Sequence, residues 1–135
     1  MLEAATAFLA FFASSVVPHF REEEELLFPR VADAEEARDL VMQALLEHQR
    51  LHRAAAELGE LVAQERTDSA TDTQMRELAI LLEGHVRLEE RRLFPLIETM
   101  LSEETLTGLV NSASDEGSGP VWGTASEELN ATLLR

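Results

Sequence analysis

The chain has 135 residues, 26 of them acidic and 11 basic, with a formal net charge of -15, no cysteine and no tyrosine. So negative a surface repels nucleic acid and anionic membranes and attracts metal cations, so neither a nucleic acid nor a membrane is an expected partner. Without thiols there is no disulfide framework, thiolate metal site or cysteine nucleophile; that fits a cytoplasmic protein and leaves nitrogen and oxygen ligands for hard or borderline metals. The length suits one domain with a real core, and the abundance of Ala, Leu and Glu beside only six Gly and four Pro is the make-up of an all-α protein.

In chain order, a first helix is predicted from about Glu3 to Arg30, with Pro18 kinking it or marking a local break before His19. Its apolar start, Ala4 to Val17, lacks a basic flank, carries Glu3 nearby and is too short to span a bilayer, so it reads as the buried half of a helix. Asp33-Ala-Glu-Glu36 resembles a capping box and opens a second helix lasting to about Glu65. Thr71-Asp-Thr-Gln74 has the same pattern and starts a third, which reaches Phe94 or, past Pro95, Met100. Ser102 caps a shorter helix to about Val110. Residues 1–110 thus form an up-down bundle of three long helices and a short one. Residues 111–120 are a linker by composition, and 121–135 an irregular tail, either docked on the bundle or opening a truncated second domain.

Two distant segments share a pattern. His19-Phe-Arg-Glu-Glu-Glu-Glu-Leu-Leu-Phe-Pro29 and His85-Val-Arg-Leu-Glu-Glu-Arg-Arg-Leu-Phe-Pro95 both read H-x-R-x-E-E-x-x-L-F-P, and His48-Gln-Arg-Leu-His52 lies between them. All four histidines therefore belong to pairs spaced i,i+4, which on a helix lie only about 40° apart and face one way. The seams run through Leu9, Phe12, Val16, His19, Glu23 and Leu26; through Val41, Leu45, His48, His52, Ala55, Gly59 and Val62; and through Leu78, Leu82, His85, Glu89, Leu93 and Leu96. Bare carboxylates at core positions cost several kcal/mol unless paired or coordinated. Arg21 and Arg87 point away from Glu23 and Glu89, so a divalent metal held by imidazole and carboxylate is the expected answer. Glu22 and Glu25 read as a solvated face, and the Leu-Phe-Pro endings as helix punctuation without chemistry.

The pattern HxxxE, HxxxH, HxxxEE before Leu-Phe-Pro closely resembles the hemerythrin-like (HHE cation-binding) family over about residues 3 to 100. The resemblance implies a helical bundle holding non-heme iron, as a di-iron or a mononuclear centre. His48, His52 and His85 would serve one iron and His19 the other, with Glu23 and Glu89 as bridges and Glu90 as the rival to Glu89. Family members begin with another helix carrying a fifth histidine, for which this chain has no counterpart. A ferritin-like reading fails on the absence of Glu-x-x-His: positions 16, 45, 49 and 82 are Val, Leu, Gln and Leu. The tail from Gly123 resembles the opening of a cupin-type domain found after some such bundles.

The implied function is binding of O2 or a related small molecule, as carrier or sensor. A di-iron enzyme handling peroxide or NO, and an iron-storage or metal-responsive interaction module, are the alternatives. Three amphipathic helices cannot close a four-helix core, so a homodimer packed through Phe8 to Phe12 is expected; a tail folded back from Trp122 would instead leave a monomer.

Overall fold

The computed structural model describes residues 2–66, 68–102, 105 and 108. Three long helices run up, down and up: Leu2–Val31, Glu35–Ala63 and residues 69–100. No strand occurs among the described residues, as the composition requires. Ser102 Oγ accepts the Thr105 N–H at 3.1 Å, as an N-cap does. The rest of that expected short helix, the linker 111–120 and the tail 121–135 lie outside the described residues.

The helix ends differ from the capping boxes read in the sequence. Ala34, in extended conformation and without a side-chain bond, precedes the second helix, so Asp33 does not cap it. Asp68 caps the third by accepting the Ala70 N–H at 3.1 Å. Thr71 and Gln74 are turned to other tasks. Thr71 Oγ1 donates to Arg66 O, and Gln74 Nε2 donates to Ala54 O across the hairpin. Glu65 closes the second helix at φ 55°, with Arg66 N–H bonded to Leu61 O and Glu65 N–H to Val62 O, the paired bonds of a Schellman ending.

Pro18, Pro29 and Pro95 do not break the helices; they widen them. Val17, Phe28 and Phe94, the residues just before Pro18, Pro29 and Pro95, donate their N–H groups five residues back, to Phe12, Glu23 and Glu89. A proline lacks an N–H, and its ring collides with the carbonyl four residues earlier. Inserting one residue into the preceding turn moves that carbonyl aside, giving π-type turns at Phe12–Val16, Glu23–Leu27 and Glu89–Leu93. The seam shifts accordingly: Leu27 and Ile97 are buried where Leu26 and Leu96 were expected.

The first helix passes, on length and composition, as able to cross a membrane, which residues 4–17 alone did not suggest. Yet it buries His19, Glu22 and Glu23 in the bundle, as a core helix of this fold must for a polar centre to exist. Two apolar clusters fill the interior. One gathers Phe12, Val16, Phe20, Leu51, Leu58, Leu78 and Leu82; the other gathers Leu27, Phe28, Val31, Val41, Leu93 and Ile97. Between them on every helix lie the histidines and glutamates, a polar layer sealed by hydrocarbon at both ends.

Candidate metal centre

Glu23, His48, His85 and Glu89, all buried, each offer one ligand atom within 4.8 Å of the others, a group able to hold a metal ion. The three helices contribute one ligand turn each, and the wide turns begin at the two carboxylates themselves. His48 Nε2 and His85 Nε2 lie 3.1 Å apart. Glu23 Oε1 is 3.3 Å from His48 Nε2, and Glu89 Oε1 is 2.6 Å from His85 Nε2. His19 joins the same group through Nε2, 3.2 Å from Glu89 Oε2 and 3.5 Å from Glu23 Oε1.

Short as these distances are, both oxygens of Glu23 and Oε1 of Glu89 have no aligned hydrogen-bond donor. Buried acceptors are seldom left so. Donor atoms gathered this closely could share a cation. Imidazole nitrogen and carboxylate oxygen are suited to a first-row divalent metal, so the residues fit the iron that the resemblance implies.

Without a cation, the close packing of these groups shifts their protonation. Burial opposes a charge on His85, but the Glu89 charge 2.6 Å away and the hydrogen bond to Glu47 outweigh it and raise its pKa to about 9. Burial would likewise raise Glu89, yet the charge of His85 and the imidazoles of His19, His48 and His85 hold it well below the usual carboxylate range. Glu23 goes the other way: burial, then the facing charge of Glu89, pushes it well above that range. One carboxylate is ionised and the other tends to keep its proton.

His52 is not brought into this group. It is exposed, its ring edge-on to Phe12 and Phe20 at 5.9 Å from each. The buried row on the second helix steps from Ala44 and His48 to Leu51, Ala55 and Leu58, so three residues rather than four separate His48 from the next core position. Glu90 is exposed, which leaves Glu89 as the inward carboxylate.

Several residues here were not read from the sequence. Glu22, assigned to a solvated face, is buried, because it lies three residues after His19 and so on the same side of the helix. Glu25 is exposed as expected. Phe20 stacks on His48 with ring centres 3.8 Å apart and meets His85 edge-on at 5.2 Å, fixing both imidazoles. The apolar letter following each motif histidine, Phe20 or Val86, was the available signal, since both are buried. Glu24 and Glu47 carried no periodic signal at all.

A helical bundle with a buried cluster of imidazole and carboxylate donors defines a cation-binding domain. The chain matches the hemerythrin HHE cation binding domain over residues 2–97 and belongs to that family. No curated protein and no solved structure matches it.

Proposed function

We propose that the protein is a cytoplasmic non-heme iron protein that binds O2 or a related small molecule as a carrier or sensor. The observation supporting this reading is that His48, His85, Glu23 and Glu89 each bring a ligand atom within 4.8 Å of the others, while three of their buried carboxylate oxygens have no aligned hydrogen-bond donor. These four would hold the ion and His19 would complete its shell. Iron, when bound, supplies the electrons and the open coordination position that O2 chemistry requires.

The chain's own part is to hold the donors rigidly and keep water away. Phe20 packs against two imidazoles, and the apolar clusters on either side admit small uncharged molecules more readily than ions. A di-iron centre with His48, His52 and His85 on one iron and His19 on the other would need His52, exposed here, to turn inward. Metal analysis settles one ion against two, and optical spectra of the purified, reduced and reoxygenated protein test the function. A stable spectrum that cycles with O2 supports a carrier or sensor; consumption of peroxide or NO would replace it with an enzyme.

We also propose a homodimer through the first helix. Only 22% of its most apolar 18-residue window is buried, and Phe8, Leu9, Phe11 and Val17 pack on the core with part of their surface still open. Sedimentation at micromolar concentration should give twice the chain mass, whereas a persistent monomer would remove this part of the reading.

A further inference from the structure

Two imidazoles of the cluster are each gripped from behind by a carboxylate on the preceding helix. Glu24 Oε2, on the first helix, lies 2.9 Å from His48 Nδ1 on the second. Glu47 Oε1, on the second, lies 2.8 Å from His85 Nδ1 on the third. Both glutamates stand at the rim, with side chains 41% and 21% exposed, while the imidazoles they meet are buried. Their places follow from helix geometry. Glu24 follows the ligand Glu23 and Glu47 precedes the ligand His48, and neighbouring residues diverge by about 100° around a helix. Each turn can therefore send one side chain into the cluster and its neighbour sideways to the next helix.

An ionised carboxylate only accepts hydrogen bonds, so the nitrogen facing it must carry the hydrogen. A neutral imidazole has a single N–H; with that hydrogen on Nδ1, Nε2 is left as a lone pair. In both rings Nε2 is the atom that faces the carboxylates Glu23 and Glu89 and the other ring. We propose that Glu24 and Glu47 are positioning residues that lock His48 and His85 in the tautomer presenting Nε2 to a metal ion, each helix orienting the histidine of the next. The proposal rests on the reading of the cluster as a metal site. It separates these two contacts from ordinary surface ion pairs: cutting either one leaves a buried Nδ1–H without its acceptor and frees the ring to turn or change tautomer.

The test uses the full chain with Glu24→Ala, Glu24→Gln, Glu47→Ala and Glu47→Gln. Long-range proton–nitrogen NMR of the metal-free protein well above pH 9, where most of His85 is neutral, should find both rings protonated at Nδ1. Each Ala variant should move its own histidine toward the Nε2–H form. Ferrous or cobalt(II) ion, titrated in competition with a chelator, should bind roughly 10- to 100-fold more weakly to each Ala variant. Glutamine, whose amide oxygen can accept the same hydrogen, should restore most of that loss. Nε2–H tautomers in the unaltered protein, or Ala variants with unchanged tautomer and unchanged affinity, would overturn the proposal. Should an Ala variant fail to fold, the tautomers of the unaltered protein and the Gln variants still decide. If the unaltered protein takes up no metal, the metal-site reading fails by itself, and the NMR result continues to report on positioning.

Discussion

The segments 19–29 and 85–95 spell one pattern and fold alike, yet their carboxylates end in opposite electrostatic states. In both, the glutamate four residues after the histidine opens a wide turn that closes on the phenylalanine before a proline. Burial, then the facing charge of Glu89, raises the pKa of Glu23 even with His48 and His19 close by; at Glu89 burial is outweighed by the charge of His85 and the three imidazoles, and its pKa falls. Local sequence sets the backbone and the direction of each side chain. The charge a side chain carries is set by what the other helices place beside it.

Removing each carboxylate in turn is the strongest way to test that contrast. Glu89→Gln should destabilise the metal-free protein by about 3–5 kcal/mol, because it strips the counter-charge from a buried His85. Glu23→Gln should change it by less than about 1 kcal/mol, since it replaces a carboxyl that tends to stay protonated with a neutral group of the same shape. Both variants should lose most bound iron. Chemical denaturation after chelation, followed by metal analysis, checks the pair; equal destabilisation would erase the asymmetry.

Proton titration should give a smaller effect of defined sign. His85 is raised from 6.5 to about 9, so its stabilisation of the metal-free fold is complete below pH 6.5 and is lost as pH rises through 9. Glu23, also raised, loses its contribution as pH rises through its own folded value, whereas Glu89, lowered, loses its contribution as pH falls through its value. Metal affinity should move the opposite way from His85, increasing up to about pH 9 as protons cease to compete for the ligands. Denaturation midpoints measured with and without ferrous ion from pH 6 to 10 should therefore diverge as pH rises.

Pro29→Ala and Pro95→Ala examine the shared backbone. Each should relieve a proline inside a helix, raising metal-free stability by about 1–3 kcal/mol, and weaken metal binding as the wide turn relaxes. Matching responses would confirm that the two copies share one device. Arg21→Ala and Arg87→Ala should do least. Both residues are exposed, Arg87 pairing outward with Glu83, and changes within about 0.5 kcal/mol at full metal content are expected in denaturation and metal assays.

That His19 and Glu23, and His85 and Glu89, face one way into the interior was legible in the sequence because a spacing of four has a fixed meaning on a helix. The three long helices and the outward course of Arg21 and Arg87 followed from the same rule. Counting a constant 3.6 residues per turn failed beyond each carboxylate, where the wide turn adds a residue and transfers burial from Leu26 to Leu27 and from Leu96 to Ile97. The proline six residues after each glutamate was the overlooked cue. His52 illustrates another limit, since i,i+4 fixes a shared direction but not which of two neighbouring positions, Leu51 or His52, enters the core. Glu24 and Glu47 could not be read from periodicity, because their role exists only once three helices are side by side.

Phe20 gives the protein a built-in spectroscopic ruler. Its ring lies over the His48 imidazole at 12° from parallel and 3.8 Å between centres, while His85 meets it nearly at a right angle. Protons above an aromatic face are shielded and protons in its plane are deshielded. The carbon-bound protons of His48 should therefore resonate upfield of those of an open-chain histidine, and His85 should respond with different sign or size according to where its protons fall around the same ring. At a fixed protonation state these ring-current displacements depend on tertiary packing. They should survive chelation if the centre is preformed, and vanish if its imidazoles come together only around an ion.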